Sequence, residues 1–179
     1  MVQRLRGSLE KLTDDERRSL RPIGMTVREA ATRTGELLDR LADAPGVRVF
    51  AGIRMTERGP RVGFAVSTAS TVLVVESVAW PTGAYTVTSQ GCVLCDGTYI
   101  GQSVRPLLGS VRLLRRLAPR RLVGAVVVVH SSGAGRPSLP AYSPAGPAWL
   151  PPDELRTHLA RRLHIRRPNN SCRVDSNSW

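Results

Sequence analysis

Thr71-Val72-Leu73-Val74-Val75-Glu76-Ser77-Val78 decides the fold. From Val72 to Val75 neither face of an extended chain carries a polar side chain, so the strand belongs in the middle of a sheet covered on both sides by helices. A second run of this kind spans Leu122 to His130. Between the two lies an amphipathic helical pattern from about Gln102 to Leu117, with Val104, Leu107, Leu108, Val111, Leu114 and Leu117 on one side. A helix of that length is what a right-handed crossover requires, which predicts that the two apolar strands run parallel. Upstream, Val47 to Arg54 and Pro60 to Thr68 read as two further strands, with turns at Glu57-Arg58-Gly59-Pro60 and around Ala69-Ser70. The expected class is α/β, a mixed sheet flanked by helices.

Working outward, Thr26-Val27-Arg28-Glu29 is a capping box that opens a helix to about Ala44, its stripe running through Ala30, Ala31, Thr34, Leu38 and Leu41. A first capping box, Thr13-Asp14-Asp15-Glu16, followed by Pro22, predicts a short charged helical preface over residues 1–25. Ala84 to Thr88 and Gly91 to Leu94 flank Ser89-Gln90-Gly91 as a hairpin. Pro106 fits the second long helix because it falls in the first turn. From Ser131 to Pro152 six prolines predict a loop or an edge excursion, and Asp153 to His164 resumes helix through Leu155, Leu159 and Leu163. The expected organisation is an extension over 1–25, one α/β domain over 26–165 and a disordered polar tail over 166–179.

With 179 residues, 41% hydrophobic and 22% charged, the chain has material for one core, and its composition excludes wholesale disorder and fibrous repeats. Its longest apolar run, Leu122 to Val129, is far short of the roughly 18 to 20 residues of a spanning helix. Neither a membrane span nor a standard secretion signal is expected, and three cysteines point to a reducing cytoplasm. Cys92-Val93-Leu94-Cys95 offers two ligands where a structural zinc needs four, so the pair reads as small strand residues. The 26 basic against 14 acidic residues give a net charge of +12, which favours polyanionic partners, nucleic acid first. Only Lys11 is a lysine; the same arginine bias also arises from a GC-rich coding sequence, so an arginine-rich soluble surface is the competing reading.

The segment Val62-Gly63-Phe64-Ala65-Val66-Ser67-Thr68-Ala69-Ser70-Thr71-Val72-Leu73-Val74-Val75-Glu76-Ser77-Val78-Ala79-Trp80 resembles the NERD family, the nuclease-related domain of the PD-(D/E)xK nuclease superfamily. That family usually writes Ile-Asp-His-Val-Val-Val-Gly-Pro-Ser-Gly-Val-Phe-Val-Ile-Asp-Ala-Lys-x-Trp there, and the two fit without a gap. Gly35-Glu36 resembles the Gly-Glu of its first helix, and Leu150-Pro151-Pro152-Asp153-Glu154-Leu155 its closing short helix. The resemblance covers about Thr34 to Leu163 and implies a restriction-endonuclease-like mixed sheet. It also implies phosphodiester chemistry: carboxylates on adjacent strands hold Mg²⁺, and a lysine orients the attacking water. Here the metal-binding aspartate position is Gly63 and the lysine position is Val78. Glu76 stands at the second carboxylate position and Glu36 at the helix carboxylate, so the resemblance implies a degenerate catalytic site of Glu76 and Glu36, with Glu76 the metal ligand if Mg²⁺ binds.

Each of these residues has a second reading. Glu36 lies four residues before Arg40 on the polar side of its helix, which suits an exposed ion pair. Glu76 suits a buried pair with an arginine, and Trp80 the anchoring of a core edge. Arg105, Arg112, Arg115 and Arg116 on the second long helix, with Arg120 and Arg121 after it, form either a phosphate-contacting face or a solvated one. The leading expectation is a nuclease-fold protein without hydrolytic capacity that binds nucleic acid, DNA foremost, through these arginines, with no cofactor. The alternatives are a weakly active Mg²⁺-dependent nuclease in which an arginine or Gln102 replaces the lysine, and a protein-interaction module using the Pro-rich segment 135–152.

Overall fold

The computed structural model describes residues 5–6, 24–54, 61–141 and 146–164. The charged preface read around residues 13–22, the turn at 57–60 and the tail beyond residue 164 lie outside these. Among the described residues nine strands and three helices follow one another: β1 (Leu5–Arg6), α1 (Val27–Asp39), β2 (Arg48–Arg54), β3 (Arg61–Ser67), β4 (Thr71–Trp80), β5 (Tyr85–Val87), β6 (Cys92–Cys95), β7 (Thr98–Ser103), α2 (Arg105–Leu117), β8 (Leu122–Ser131), β9 (Ala148–Leu150) and α3 (Pro152–Arg162).

The main sheet has the order β1-β2-β3-β4-β8-β9. It is mixed: β2, β3 and β4 form an antiparallel meander, while β8 runs parallel to β4 from Thr71↔Leu122 to Trp80↔Ser131. The two apolar runs are thus direct neighbours, joined by the crossover helix α2, as their two-sided hydrophobicity requires. Alternation along β4 sends Leu73 and Val75 to a face covered by α1 and α3, where they pack with Phe64, Val66, Val126 and Leu159. It sends Val72, Val74 and Trp80 to the other face, under α2 and a small second sheet ordered β5-β6-β7. Each buried valine contributes on the order of 1.5–3 kcal/mol relative to an exposed one, so the centre of the fold is held from both sides. Among the described residues no helix is long and apolar enough to cross a membrane.

The capping box of α1 forms as the sequence predicts. Glu29 N–H donates to Thr26 Oγ1 at 3.2 Å and Thr26 N–H to Glu29 Oε2 at 2.7 Å, bonds that hold the Glu29 carboxyl below its ordinary pKa. Three boundaries differ from expectation. The first helix stops at Asp39 and passes into turns before Pro45-Gly46, where it was expected to reach Ala44. Residues 98–103, partly assigned to the start of the second helix, form β7 instead, with Gly101 at φ +76°, a left-handed conformation that favours glycine. The Pro-rich stretch is also not loop throughout: Ala148–Leu150 adds a third parallel strand beside Val126–Val128. A three-residue edge strand framed by Pro147 and Pro151 is compatible with proline, which is excluded only from the interior of a ladder. Upstream, Ser138 is pinned to the small sheet, its carbonyl accepting from Tyr85 N–H and its N–H donating to Gly83, each at 2.8–2.9 Å.

Under α1, His130 is 2% exposed and its Nε2 lies 2.8 Å from Thr34 Oγ1. Burial, helped by the nearby Arg33 charge, depresses its pKa from 6.5 to about 4. The unfolded chain therefore takes up this proton near pH 6.5 while the folded chain does not until about pH 4. The stabilisation is complete above pH 6.5 and is lost as pH falls towards 4, by at most about 3 kcal/mol. Urea unfolding of His130→Gln should show a correspondingly shallower loss of stability across that window than the parent chain; an unchanged pH dependence would mean that His130 is not the titrating group.

Candidate functional site

β3 and β4 pair through Phe64↔Val75, and one step further Gly63 comes to face Glu76. There the Gly63 N–H donates to Glu76 Oε1 at 2.8 Å. A Cβ added to Gly63 would lie 3.1 Å from Glu76 Oε2 and 3.4 Å from the Val75 carbonyl. The strand position that the resemblance aligns with an aspartate is thus in contact with the Glu76 carboxylate. Val78, two residues on and on the same face of β4, is half-buried against the cluster that contains Trp80 and Val62.

Glu76, Val78 and Gln102 line one cavity of about 650 Å³, together with Trp80 and Trp149. Trp80 is 2% exposed; it stacks on Tyr85 at 4.1 Å and donates its indole N–H to Gln102 Oε1 at 2.9 Å. Its place is a core edge, and through it β4 is tied to the small sheet. The bond to Trp80 occupies the Gln102 carbonyl, so the Gln102 amide NH₂ is the group left to donate. Glu36 is elsewhere. It is exposed on α1, the helix over the first face, whereas Glu76 is turned with Val74 and Trp80 towards the second. Among the described residues no group of three or more His, Cys, Asp or Glu side chains is placed to hold a metal ion.

The arginines of α2 divide into two groups. At about 100° per residue, Arg105, Arg112 and Arg116 share one stripe along the helix; all three are exposed. Arg105 at the first turn donates its Nε–H to the Gln90 carbonyl of the small sheet. Arg115 donates from Nε and Nη2 to the Val123 carbonyl at 3.3 and 3.1 Å, which binds the end of α2 to the start of β8. Arg120 and Arg121 are exposed in the turn between them.

Arg112 and Arg115 also line a cleft of about 500 Å³ at the amino ends of β4 and β8. Its opposite wall is the last part of α3, with His158, Arg161 and Arg162, and His164 in the turn that follows. Sequence reading assigned these four no part in binding; the spacing of 158, 161 and 162, which puts them on one helical face, was the available signal. Burial, then the Arg162 and Arg161 charges, hold the His158 pKa below its ordinary value against an upward pull from Glu154. No Asp or Glu is among the described residues lining this cleft. It is a concave surface with four permanent positive charges and an apolar wall that includes Leu108, Val111 and Leu122.

No family model, curated protein or solved structure matches the chain. The molecule itself defines an α/β protein with a mixed sheet flanked by helices, one carboxylate at the junction of two central strands and a basic cleft at their far end.

Proposed function

We propose that this is a NERD-like nuclease-fold protein, catalytically degenerate, that binds nucleic acid, DNA foremost, through its arginines. The observation that carries the reading is the convergence of Arg112 and Arg115 from α2 with Arg161 and Arg162 from α3 on one cleft lacking carboxylates among its described lining. Arg105 and Arg116 extend this positive surface along α2, and Arg120 and Arg121 extend it past the helix end. Guanidinium groups contact phosphate oxygens with two or more donors each, and their charge makes such binding independent of sequence and sensitive to salt. Catalytic loss follows from Gly63 and Val78: at the strand junction Glu76 supplies one carboxylate where the chemistry uses several and a lysine. The half-exposed, unbridged Cys92 and Cys95 suit a cytoplasmic setting.

Fluorescence anisotropy with labelled duplexes tests this. Replacing Arg115, Arg116 and Arg120 by alanine should weaken binding by about tenfold or more for every sequence alike, since phosphate contacts carry no base information. An unchanged affinity, or a loss confined to one sequence, would remove the assignment of this face.

A second reading, a weakly active Mg²⁺-dependent nuclease, is favoured by the meeting of Glu76 and Gln102 in one cavity. Metal-dependent plasmid nicking that disappears in Glu76→Ala would support it, and equal activity in that variant would end it.

A further inference from the structure

The cleft between α2 and α3 is more than a stretch of basic surface. Arginines in the last turns of helices ordinarily offset the negative ends of the helix dipoles. Residues from the last turns of α2 and α3 both line this cleft, and each helix C-terminus carries roughly half a negative charge. Arg112, Arg115, Arg161 and Arg162 supply four positive charges at the same place, leaving about three uncompensated. Burial and the Arg162 and Arg161 charges lower the pKa of the neighbouring His158, against an upward pull from Glu154. An excess of this size attracts anions to the cleft.

Shape limits what that anion is. A cleft of about 500 Å³ matches the size of sites that hold a single small group, ~300–1,000 Å³, and so suits the end of a strand better than its length. Charge limits it further. An internal phosphodiester carries one negative charge, while a terminal phosphomonoester carries about 1.5 to 2 at pH 7. A terminal phosphate with the adjoining diester therefore comes close to neutralising the excess. Leu108, Val111 and Leu122 on the cleft wall offer apolar surface to the sugar and base of the last nucleotide. We propose that this cleft receives the phosphorylated end of a nucleic-acid strand, so that the protein recognises strand ends as well as the strand between them. The proposal rests on the nucleic-acid reading above.

The test compares single-stranded oligonucleotides of one sequence carrying a 5′-phosphate, a 3′-phosphate or neither, each competed against closed circular DNA and against a free nucleoside monophosphate. One phosphorylated form should bind about tenfold or more tighter than the unphosphorylated one, as expected for an added set of charge-assisted hydrogen bonds. End-free DNA should not erase that preference. Arg161→Ala with Arg162→Ala should abolish that preference, weakening the phosphorylated strand by about tenfold more than end-free DNA; both side chains are exposed, and Arg161→Gln with Arg162→Gln provides a version that keeps their length and polarity. Equal affinity for all three oligonucleotides, with salt-sensitive DNA binding intact, would overturn the inference and leave the wider reading standing. No binding to any DNA would remove both. A preference that survives in both double variants, or a free monophosphate that competes as well as the phosphorylated strand, would also overturn it.

Discussion

The double substitution Gly63→Asp with Val78→Lys is expected to convert this chain into a Mg²⁺-dependent DNA nuclease. A Cβ at residue 63 starts 3.1 Å from Glu76 Oε2. The atom it meets is the far end of a glutamate side chain, which can shift by the few tenths of an ångström required. The new aspartate and Glu76 would then stand together on adjacent strands, the arrangement that binds a divalent cation through oxygen ligands. Residue 78 lies on the same face of β4 and lines the same cavity, so a lysine there can run its stem along the apolar wall and bring its ammonium towards the carboxylates. Without metal the paired carboxylates repel, so the variant should gain thermal stability on adding Mg²⁺, whereas the parent chain should not. Plasmid nicking should rise at least about a hundredfold over the parent, in line with the cost of removing a single charge-stabilising group from an active site, and EDTA should abolish it. A well-folded double variant with neither metal response nor cleavage would show that positions 63 and 78 are not the vacated places of a catalytic set.

Trp80→Ala is expected to give the largest loss of stability. The side chain is 2% exposed, is stacked on Tyr85 at 4.1 Å and lies 5.3 Å from Trp149, centroid to centroid. Truncating a buried aromatic to alanine costs about 3–5 kcal/mol through lost transfer energy and the cavity left behind. Here the change also leaves the Gln102 carbonyl without its donor and removes the plate on which the small sheet rests. Chemical denaturation should show a loss in that range, and hydrogen exchange should accelerate over residues 85–103 more than over β2 and β3. Trp80→Phe should recover most of the packing but not the hydrogen bond, leaving a deficit of about 1 kcal/mol. A loss below about 1 kcal/mol in Trp80→Ala would mean that the small sheet is held by other contacts.

What could be read in the sequence was what local patterning dictates. Val72–Val75 and Leu122–Val129 carry apolar residues on both faces and could settle only as central strands, and Thr26 with Glu29 fixed the start of α1. β7 escaped because Thr98–Ser103 is largely exposed and lacks a buried alternation, and β9 because three residues between prolines give no periodicity. At the site, contact between Gly63 and Glu76 followed once two adjacent strands were placed in register. The basic cleft could not be read in this way. Its walls come from helices separated by two strands and the proline-rich connection between those strands, and they share a cleft because both helices finish towards the amino ends of β4 and β8. The Gln102 bond to Trp80 is likewise tertiary, set by where the small sheet folds back.

The central claim is that arginines on and beside α2 hold the phosphate backbone, and its most direct test is the salt dependence of duplex binding by the unmodified chain. If four or five phosphates are neutralised, a plot of log K against log[salt] between about 50 and 200 mM should fall with a slope of about −4. A flat line, or no binding at about 50 mM salt, would contradict it.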